Sequence, residues 1–314
     1  MIYHPRDRFR CKNSGIIQGK LLFFLLAIGI LSLLFYFLYK PSTSVVSPIP
    51  QKDMFSFLLP IFSRKKNPDE LKKKIIEAIG TTIPEYSVIV KDLHNDFSID
   101  MNANTIFTGA SVNKLPILGT LYYLAQKGDI DLDRQITIQP EDIQDYGTGQ
   151  IRYDQPGTMY SVKTLSRLMM QKSDNTAAYI LGRQVIGIPK IQQLITSWGM
   201  TQTDMENNKT SNTDIALLME KIYREKVANK ALTLEMLSFL KDGTIEDRIP
   251  ALLPKETVVY HKTGNGVGFL HDVGIVVGPK TTYYIGMFTS GVPDEAEAVR
   301  ILATISRIVY DFMK

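Results

Sequence analysis

Ser111-Val112-Asn113-Lys114 is the stretch of this 314-residue chain from which its fold and chemistry are inferred. Ser111 begins a segment rich in Leu and Tyr, residues 111–127, that is predicted to be a helix ended by Gly128. Residues three positions apart lie on the same helix face. A serine hydroxyl needs a base to accept its proton, and Lys114 can be that base if burial and neighbouring cations lower its pKa. The spacing indicates a nucleophile, although a helix N-cap followed by a surface lysine gives the same pattern.

Two further short motifs follow along the chain. Ser173-Asp174-Asn175 begins 62 residues after Ser111, between two segments with helical patterning. Lys262-Thr263-Gly264 begins 89 residues after Ser173, at the end of a predicted strand. Each motif alone has an ordinary structural explanation, because Ser, Asp and Asn cap helices and a glycine turn ends many strands. Their occurrence together, in this order and in this context of helices and strands, indicates one active site.

The patterning of the remaining chain predicts an α+β fold. Helices are predicted over residues 69–79, 111–127, 162–172, 176–185, 188–198, 212–225 and 295–312, and strands over residues 86–92, 97–101, 258–261, 272–277 and 283–289. This order is typical of one antiparallel sheet with flanking terminal helices plus an all-helical lobe. Because strands from both ends of the region enter the sheet, residues 69–314 are predicted to form a single catalytic domain.

With these motifs in this order, the chain resembles the superfamily of class A β-lactamases and penicillin-binding proteins, which are active-site serine enzymes. The resemblance covers about residues 69–314. It includes Gly128–Arg134 after the first predicted helix and Arg248–Pro254 before the strand of the third motif. It implies a β-lactamase/transpeptidase-like fold and hydrolysis of amides through a covalent acyl-enzyme.

The resemblance also implies a role for each residue of the first two motifs. Ser111 attacks the substrate carbonyl and becomes acylated, while Lys114 takes its proton. Ser173 relays a proton to the leaving nitrogen, and Asn175 holds the side-chain amide of the substrate. Tyr146 would wall the cleft, as an aromatic residue does in the family, or would simply pack the helical lobe.

The third motif is implied to bind the rest of the substrate. Lys262 and Thr263 would bind the substrate carboxylate, with Lys262 also adding positive charge near the second motif. The oxyanion hole would consist of the backbone N–H groups of Ser111 and of Asn265, the residue after Gly264.

The loop between the second and third motifs departs from the class A pattern. Class A enzymes carry there a glutamate that activates the deacylating water, with an asparagine four residues later. In this chain the corresponding residues 198–210 form a short loop, Glu206 is its only glutamate, and the residue four positions later is Thr210. Glu206 is therefore the one candidate for a deacylation base, and a solvated loop carboxylate is the favoured interpretation. A chain without that base would acylate and then stall.

The positive charge of the chain is concentrated at its start. Residues 1–40 hold six of the 36 basic residues and one of the 32 acidic residues, so the remainder is nearly neutral and no nucleic-acid partner is expected. Residues 21–39 are uncharged and flanked by Lys20 and Lys40, which predicts an uncleaved transmembrane signal anchor. The basic tail, residues 1–20, would then be cytoplasmic, and residues 40–68, rich in Pro, Ser and Lys, would link the anchor to an extracytoplasmic catalytic domain.

Cysteine and histidine provide no sign of a metal or cofactor. Cys11 is the only cysteine and precedes the apolar stretch, so the exported part has no disulfide. The four histidines, His4, His94, His261 and His271, do not have the spacing of metal ligands.

Three functions remain open on these grounds. The leading hypothesis is a class A-like β-lactamase that cleaves β-lactams or related amides, because the surroundings of the second and third motifs resemble that class. The shortened loop favours a D,D-peptidase or penicillin-binding-like enzyme acting on peptidoglycan stem peptides. The third hypothesis, a catalytically silent envelope binding module, is opposed by the intact motif residues.

Overall fold

The structure, a computed structural model, describes residues 28–34 and 66–314. The chain divides into two compact units, Met1–Arg64 and Lys65–Lys314. In the first unit, residues 28–34 are helical. In the described parts of both units, no helix has the length and apolarity that crossing a bilayer requires. Only residues 28–34 of the predicted anchor, residues 21–39, are described. The predicted tail and most of the linker lie outside the described residues, so these assignments stay predictions.

The second unit is built on a five-stranded antiparallel sheet with the order β2-β1-β9-β8-β7. Its strands are β1 (Glu85–Asp92), β2 (Ser98–Met101), β7 (Val258–Gly266), β8 (Phe269–Val277) and β9 (Thr282–Ser290). Two pairs of three-residue strands lie outside it, namely β3 (Ile106–Thr108) with β6 (Lys209–Ser211), and β4 (Gln135–Thr137) with β5 (Met159–Ser161). Strand β1 pairs along its whole length with β9, so the two ends of the unit meet at the centre of the sheet.

Helices cover both faces of this sheet. They are α1 (Pro68–Ile79), α2 (Lys114–Lys127), α3 (Val162–Gln171), α4 (Asn175–Tyr179), α5 (Ile188–Ser197), α6 (Asn212–Tyr223), α7 (Lys230–Phe239) and α8 (Glu295–Met313). Alternate side chains of a strand point to opposite faces. In β1, Val88 and Val90 pack with the helices α1 and α8, whereas Ile89 packs with the helical lobe. Two hydrophobic cores therefore stabilise the sheet, one on each side.

The α+β architecture and the predicted major elements are confirmed, with a few differences in detail. The segment predicted as one helix from Ser111 begins as a 3₁₀ turn, Ala110–Asn113, before α2. The segment predicted as a helix over residues 176–185 is α4 followed by a π-helical turn, Ile180–Ile186. Sequence patterning missed the ten-residue α7 and the four three-residue strands, and these strands are too short to carry a periodic signal.

Candidate active site

Ser111 lies in the 3₁₀ turn that leads into α2, where it is half-buried. The backbone carbonyl of Ser111 accepts the N–H of Lys114, which fixes the two residues on one turn of the chain. The preceding Ala110 has a positive φ of 46°, an uncommon conformation for a residue with a side chain. Among the described residues, the Ser111 hydroxyl has no hydrogen-bond partner. The start of a helix favours negative charge, which suits an oxyanion beside the Ser111 N–H group.

Lys114 is the point at which the first and second motifs meet. Its side chain is buried, and Nζ donates to the carbonyl oxygen of Ser173 at 2.5 Å and to Oδ1 of Asn175 at 2.8 Å. A third, longer bond of 3.2 Å joins Nζ to the Ser173 hydroxyl. Burial and the nearby positive charge of Lys262 lower the pKa of Lys114 well below its ordinary value. The lysine is therefore suited to accept a proton.

The second motif is held in place by Asp174. Ser173 has a positive φ of 49°, and Asp174, which caps α4, accepts the N–H of Ala177 at 2.9 Å. The other carboxylate oxygen accepts the N–H groups of Gln150 at 2.7 Å and Ile151 at 2.9 Å. The buried carboxylate thus fixes the direction of the residues on either side of it.

The third motif approaches the second through Lys262. Its Nζ donates to Oγ of Ser173 at 3.1 Å and to the carbonyl of Thr263 at 3.1 Å. Burial lowers the pKa of Lys262 to about 8, and the cationic Arg248 acts in the same direction while Asp272 opposes it. The Ser173 hydroxyl consequently lies within hydrogen-bond distance of the Nζ atoms of two lysines, Lys114 and Lys262.

Gly264 brings strand β7 against the turn that carries Ser111. A Cβ at Gly264 would lie 3.1 Å from the carbonyl oxygen of Gly109 and 3.1 Å from Cγ2 of Val112, so only glycine allows this approach without displacement. The next residue, Asn265, accepts a hydrogen bond from Nη1 of the buried Arg248 at 2.8 Å. The close approach at Gly264 brings the first and third motifs together.

Tyr146 and Glu206, two further residues that the sequence suggested for the site, are both largely exposed. The Tyr146 carbonyl accepts the side-chain amide of Asn175 at 3.0 Å, while the tyrosine is 64% exposed. The Glu206 carboxylate pairs with Arg183 at 3.1 Å, and 63% of the Glu206 side chain is exposed. No hydrogen bond or ion pair among the described residues joins Glu206 to Lys114. In the same loop, the carbonyl oxygen of Asn208 accepts the N–H of Gly109.

Sequence reasoning missed a buried ionic cluster behind the third motif. Nδ1 of His261 lies 2.8 Å from Asp272 and its Nε2 lies 3.3 Å from Glu246, while the second oxygen of Asp272 accepts the N–H of Ile249 at 2.9 Å. Burial disfavours the charged imidazole, but the two carboxylates outweigh it and raise the pKa of His261 to about 9. The only signal in the sequence is that a histidine directly precedes Lys262. Within the described residues, no group of three or more His, Cys, Asp and Glu side chains could hold a metal ion.

The fold and the meeting of the three motifs define a class of protein, the active-site serine hydrolases built on a sheet and a helical lobe. Residues 69–313 match the sequence model of the β-lactamase enzyme family. The chain belongs to this family, and the resemblance inferred from its motifs is confirmed. It is a β-lactamase-type serine hydrolase.

Individual relatives are distant in sequence. The β-lactamase VEB-1 of Pseudomonas aeruginosa is 22% identical over 285 residues, which cover 82% of this chain and 95% of the relative. A β-lactamase of Bacteroides uniformis is 29% identical over 246 residues, which cover 68% of this chain and 81% of the relative. Among solved structures, a β-lactamase from Chitinophaga pinensis has a TM-score of 0.75 at 24% identity, covering 78% of this chain and 100% of that one. PBP-A has a TM-score of 0.72 at 24% identity, covering 78% and 96%. These structures share the fold of the chain.

Proposed function

We propose that this hydrolase is acylated at Ser111 by β-lactams or by related amides that carry a carboxylate next to the departing nitrogen. The observation that carries the proposal is the position of Lys114, which is buried against the Ser173 hydroxyl and Asn175 with a lowered pKa. A neutral amine within hydrogen-bond distance of a second hydroxyl can both receive a proton and pass it on.

The proposed reaction begins with attack of Ser111 Oγ on the carbonyl carbon, while its proton passes to Nζ of Lys114. The resulting oxyanion accepts the N–H groups of Ser111 and Asn265. The C–N bond then breaks, and Lys114 returns the proton through Oγ of Ser173 to the departing nitrogen. The 3.2 Å separation between Nζ of Lys114 and Oγ of Ser173 supports this relay.

Substrate binding is assigned to the remaining motif residues. The charged Lys262 and the hydroxyl of Thr263 would bind the substrate carboxylate. Asn175 would receive the side-chain amide of the substrate, and Gly264 would keep strand β7 close to the nucleophile. Tyr146, with its exposed ring, would cover the acyl group from the solvent side.

Release of the acyl group is proposed to be slow. Glu206 pairs with Arg183 in an exposed loop, so this loop, within the described residues, offers no carboxylate placed like that of class A enzymes to activate water at Ser111. This observation favours the second candidate function, a D,D-peptidase or penicillin-binding-like enzyme that works on peptidoglycan stem peptides. A PBP-A variant whose structure is described as an acyl-enzyme complex with penicillin G has the same fold. The third candidate, a catalytically silent module, would have no need of a depressed lysine pKa.

The test of acylation is covalent labelling by a fluorescent penicillin. We expect labelling of the wild-type chain and none of the Ser111→Ala variant, with Ser197→Ala, an exposed serine of α5, as the matched control. No label on folded wild-type protein would refute the proposal. Nitrocefin then separates the first two candidate functions, because sustained turnover identifies a β-lactamase and a burst of about one equivalent that stalls identifies a penicillin-binding-like enzyme.

We also propose that residues 21–39 anchor the chain in the cell membrane, with the catalytic unit outside the cytoplasm. The support is the uncharged run of 19 residues between Lys20 and Lys40 and the basic residues before it. We expect the full chain to remain with the membrane fraction after a high-salt wash and to be released by detergent, whereas a chain of residues 65–314 is not retained. Recovery of the full chain in the wash would contradict the anchor.

A further inference from the structure

A cavity of about 370 Å³ opens beside the second and third motifs. Its wall includes Ser173, Lys262 and Thr263, together with the loop 147–153 and the segment 243–245. Of the residues assigned above to the acyl side of the reaction, Ser111, Asn175 and Tyr146 are absent from the described lining. The cavity therefore borders Ser173, Lys262 and Thr263 but not the residues assigned to the acyl side.

The cavity lies on the side of the site where the leaving group of the substrate would be. This step rests on the proposed function, in which Ser173 protonates the departing nitrogen and Lys262 with Thr263 binds the carboxylate next to it. In both a β-lactam and an acyl-amino acid, that carboxylate is attached to the half of the molecule that contains the nitrogen. Substituents of the departing half would consequently extend into the cavity.

The wall of the cavity is cationic. Arg152 and Lys172 line it in addition to Lys262, and no Asp or Glu of the described unit does. His261 also borders the cavity, but its charge is matched by Asp272 and Glu246. A concave surface lined by one sign of charge attracts ligands of the opposite sign.

Arg152 has unused hydrogen-bond donors at this wall. Nη1 of Arg152 donates to the carbonyl of Asp145 at 3.3 Å, and the guanidinium carbon lies 4.9 Å from the centre of the Tyr153 ring. The Nε of Arg152 is buried and has no hydrogen-bond partner. The buried Nε does not face the cavity, but these contacts hold the guanidinium at its wall, where the Nη groups, which have no carboxylate partner among the described residues, can donate to a bound anion.

We propose that this cavity is a leaving-group subsite that accepts a second anionic group of the substrate, with Arg152 as its main ligand and Lys172 as a second cation. The favoured substrate thus carries two negative groups on its departing half, one bound by the third motif and one by Arg152.

Two cephalosporins that differ in one group test the subsite. Cefamandole and cefonicid share the acyl side chain, and their leaving-side substituents end in a methyl and a sulfomethyl group, respectively. We expect cefonicid to acylate the wild-type chain roughly tenfold more efficiently, as a charge-assisted contact allows. The Arg152→Gln variant should lose most of this preference, and Lys172→Gln should lose part of it. Arg300→Gln removes an exposed charge on α8 and should keep the wild-type preference.

Binding without reaction gives a second measurement. In a Ser111→Ala background, calorimetry should give a lower dissociation constant for cefonicid than for cefamandole, and adding Arg152→Gln should equalise the two. Equal affinities before that change would overturn the subsite, even if acylation of the wild type had established the proposed function. Conversely, a cefonicid preference in binding with no acylation of the wild type by either compound would support the subsite and reject the proposed reaction.

Discussion

At the scale of single residues, the Ser173 hydroxyl is contacted by both lysines of the site. Nζ of Lys114 and Nζ of Lys262 lie 3.2 Å and 3.1 Å from its Oγ. Burial lowers the pKa of each lysine, and the charge of Lys262 lowers that of Lys114 further. The pair is consequently suited to divide its tasks, with a neutral Lys114 as base and a charged Lys262 as anion ligand.

The pH dependence of acylation should reflect these two groups. The rate should rise as Lys114 loses its proton, at a pH well below its ordinary pKa, and fall again as Lys262 loses its charge near pH 8. In Lys262→Arg, the guanidinium stays charged, so the alkaline decline should move upward by two or more pH units, roughly, even if the maximal rate drops. The measurement is the labelling rate with a fluorescent penicillin between about pH 5 and pH 11. An unchanged alkaline decline in the variant would show that Lys262 does not cause it.

Much of the residue-level site could be predicted from the sequence. Motif order identified Lys114, Ser173 and Lys262, and the structure brings their side chains together. The ligands of Asp174 could not be predicted, because Gln150 and Ile151 reach it only through the path of a loop. The pairing of Glu206 with Arg183 could likewise not be predicted, since it depends on how α4 and the following π-helical turn pack against a loop.

At the scale of elements, Asp174 joins the start of α4 to the loop before β5. Its carboxylate accepts three backbone N–H groups, and the residue is 1% exposed. Asp294 has the same capping position on α8 but is exposed and accepts one N–H group, that of Glu297. The two aspartates make a matched pair that differs in burial.

Alanine substitution of each aspartate should separate these roles. Asp174→Ala leaves buried N–H groups unpaired and should lower the free energy of unfolding by about 3 kcal/mol. Asp294→Ala removes an ordinary cap and should cost about 1 kcal/mol. Urea denaturation of both variants measures the difference. Equal losses would mean that the loop bonds of Asp174 contribute nothing beyond a cap.

The ionic cluster behind β7 should make stability depend on pH. The folded state keeps the proton of His261 up to about pH 9, whereas the unfolded chain releases it near the ordinary pKa of 6.5. The stabilisation is therefore complete below pH 6.5 and is lost as the pH rises through about 9. We expect the free energy of unfolding of the wild-type protein to exceed that of His261→Gln by up to about 3 kcal/mol at pH 6 and by much less at pH 10. A difference that stays constant across this range would contradict the charged histidine.

Sequence patterning predicted most of the long elements and missed the three-residue strands. Strands β7, β8 and β9 run longer than predicted, and in β7 and β9 the added residues pair in the ladder without being apolar. Strands β3 and β6 pair only because the loop after α5 returns to the chain just before Ser111. Such a pairing depends on tertiary contacts and leaves no periodic trace in three residues.

At the scale of the whole molecule, the short loop after α5 is the basis of the proposed slow release of the acyl group. This loop pairs with β3 and places Glu206 on Arg183, with both side chains about half or more exposed. An exposed ion pair contributes little to stability. The loop thus pairs with the strand just before Ser111, while its carboxylate, that of Glu206, is directed to Arg183.

Neutralising Glu206 should therefore change little. We expect Glu206→Gln to leave the lifetime of the penicilloyl-enzyme within about twofold of the wild type and to lower the free energy of unfolding by less than about 1 kcal/mol. Single-turnover decay of the fluorescent adduct measures the first quantity and urea denaturation the second. Thr203→Ala, a buried residue of the same loop, provides a contrast because it should destabilise the protein. A tenfold longer lifetime in Glu206→Gln would identify this carboxylate as the deacylation base after all.

The pairing of β1 with β9 also has a consequence for how the molecule is made. Glu85 is paired with Ser290, so the middle of the sheet joins segments separated by most of the catalytic unit. Contacts of such long sequence separation slow folding, because the entropy of closing the intervening chain is lost before the contacts form. During synthesis, β1 cannot complete its pairing with β9 until residues 283–290 have emerged. The catalytic unit would thus complete its central sheet only after almost all of the chain has been translated.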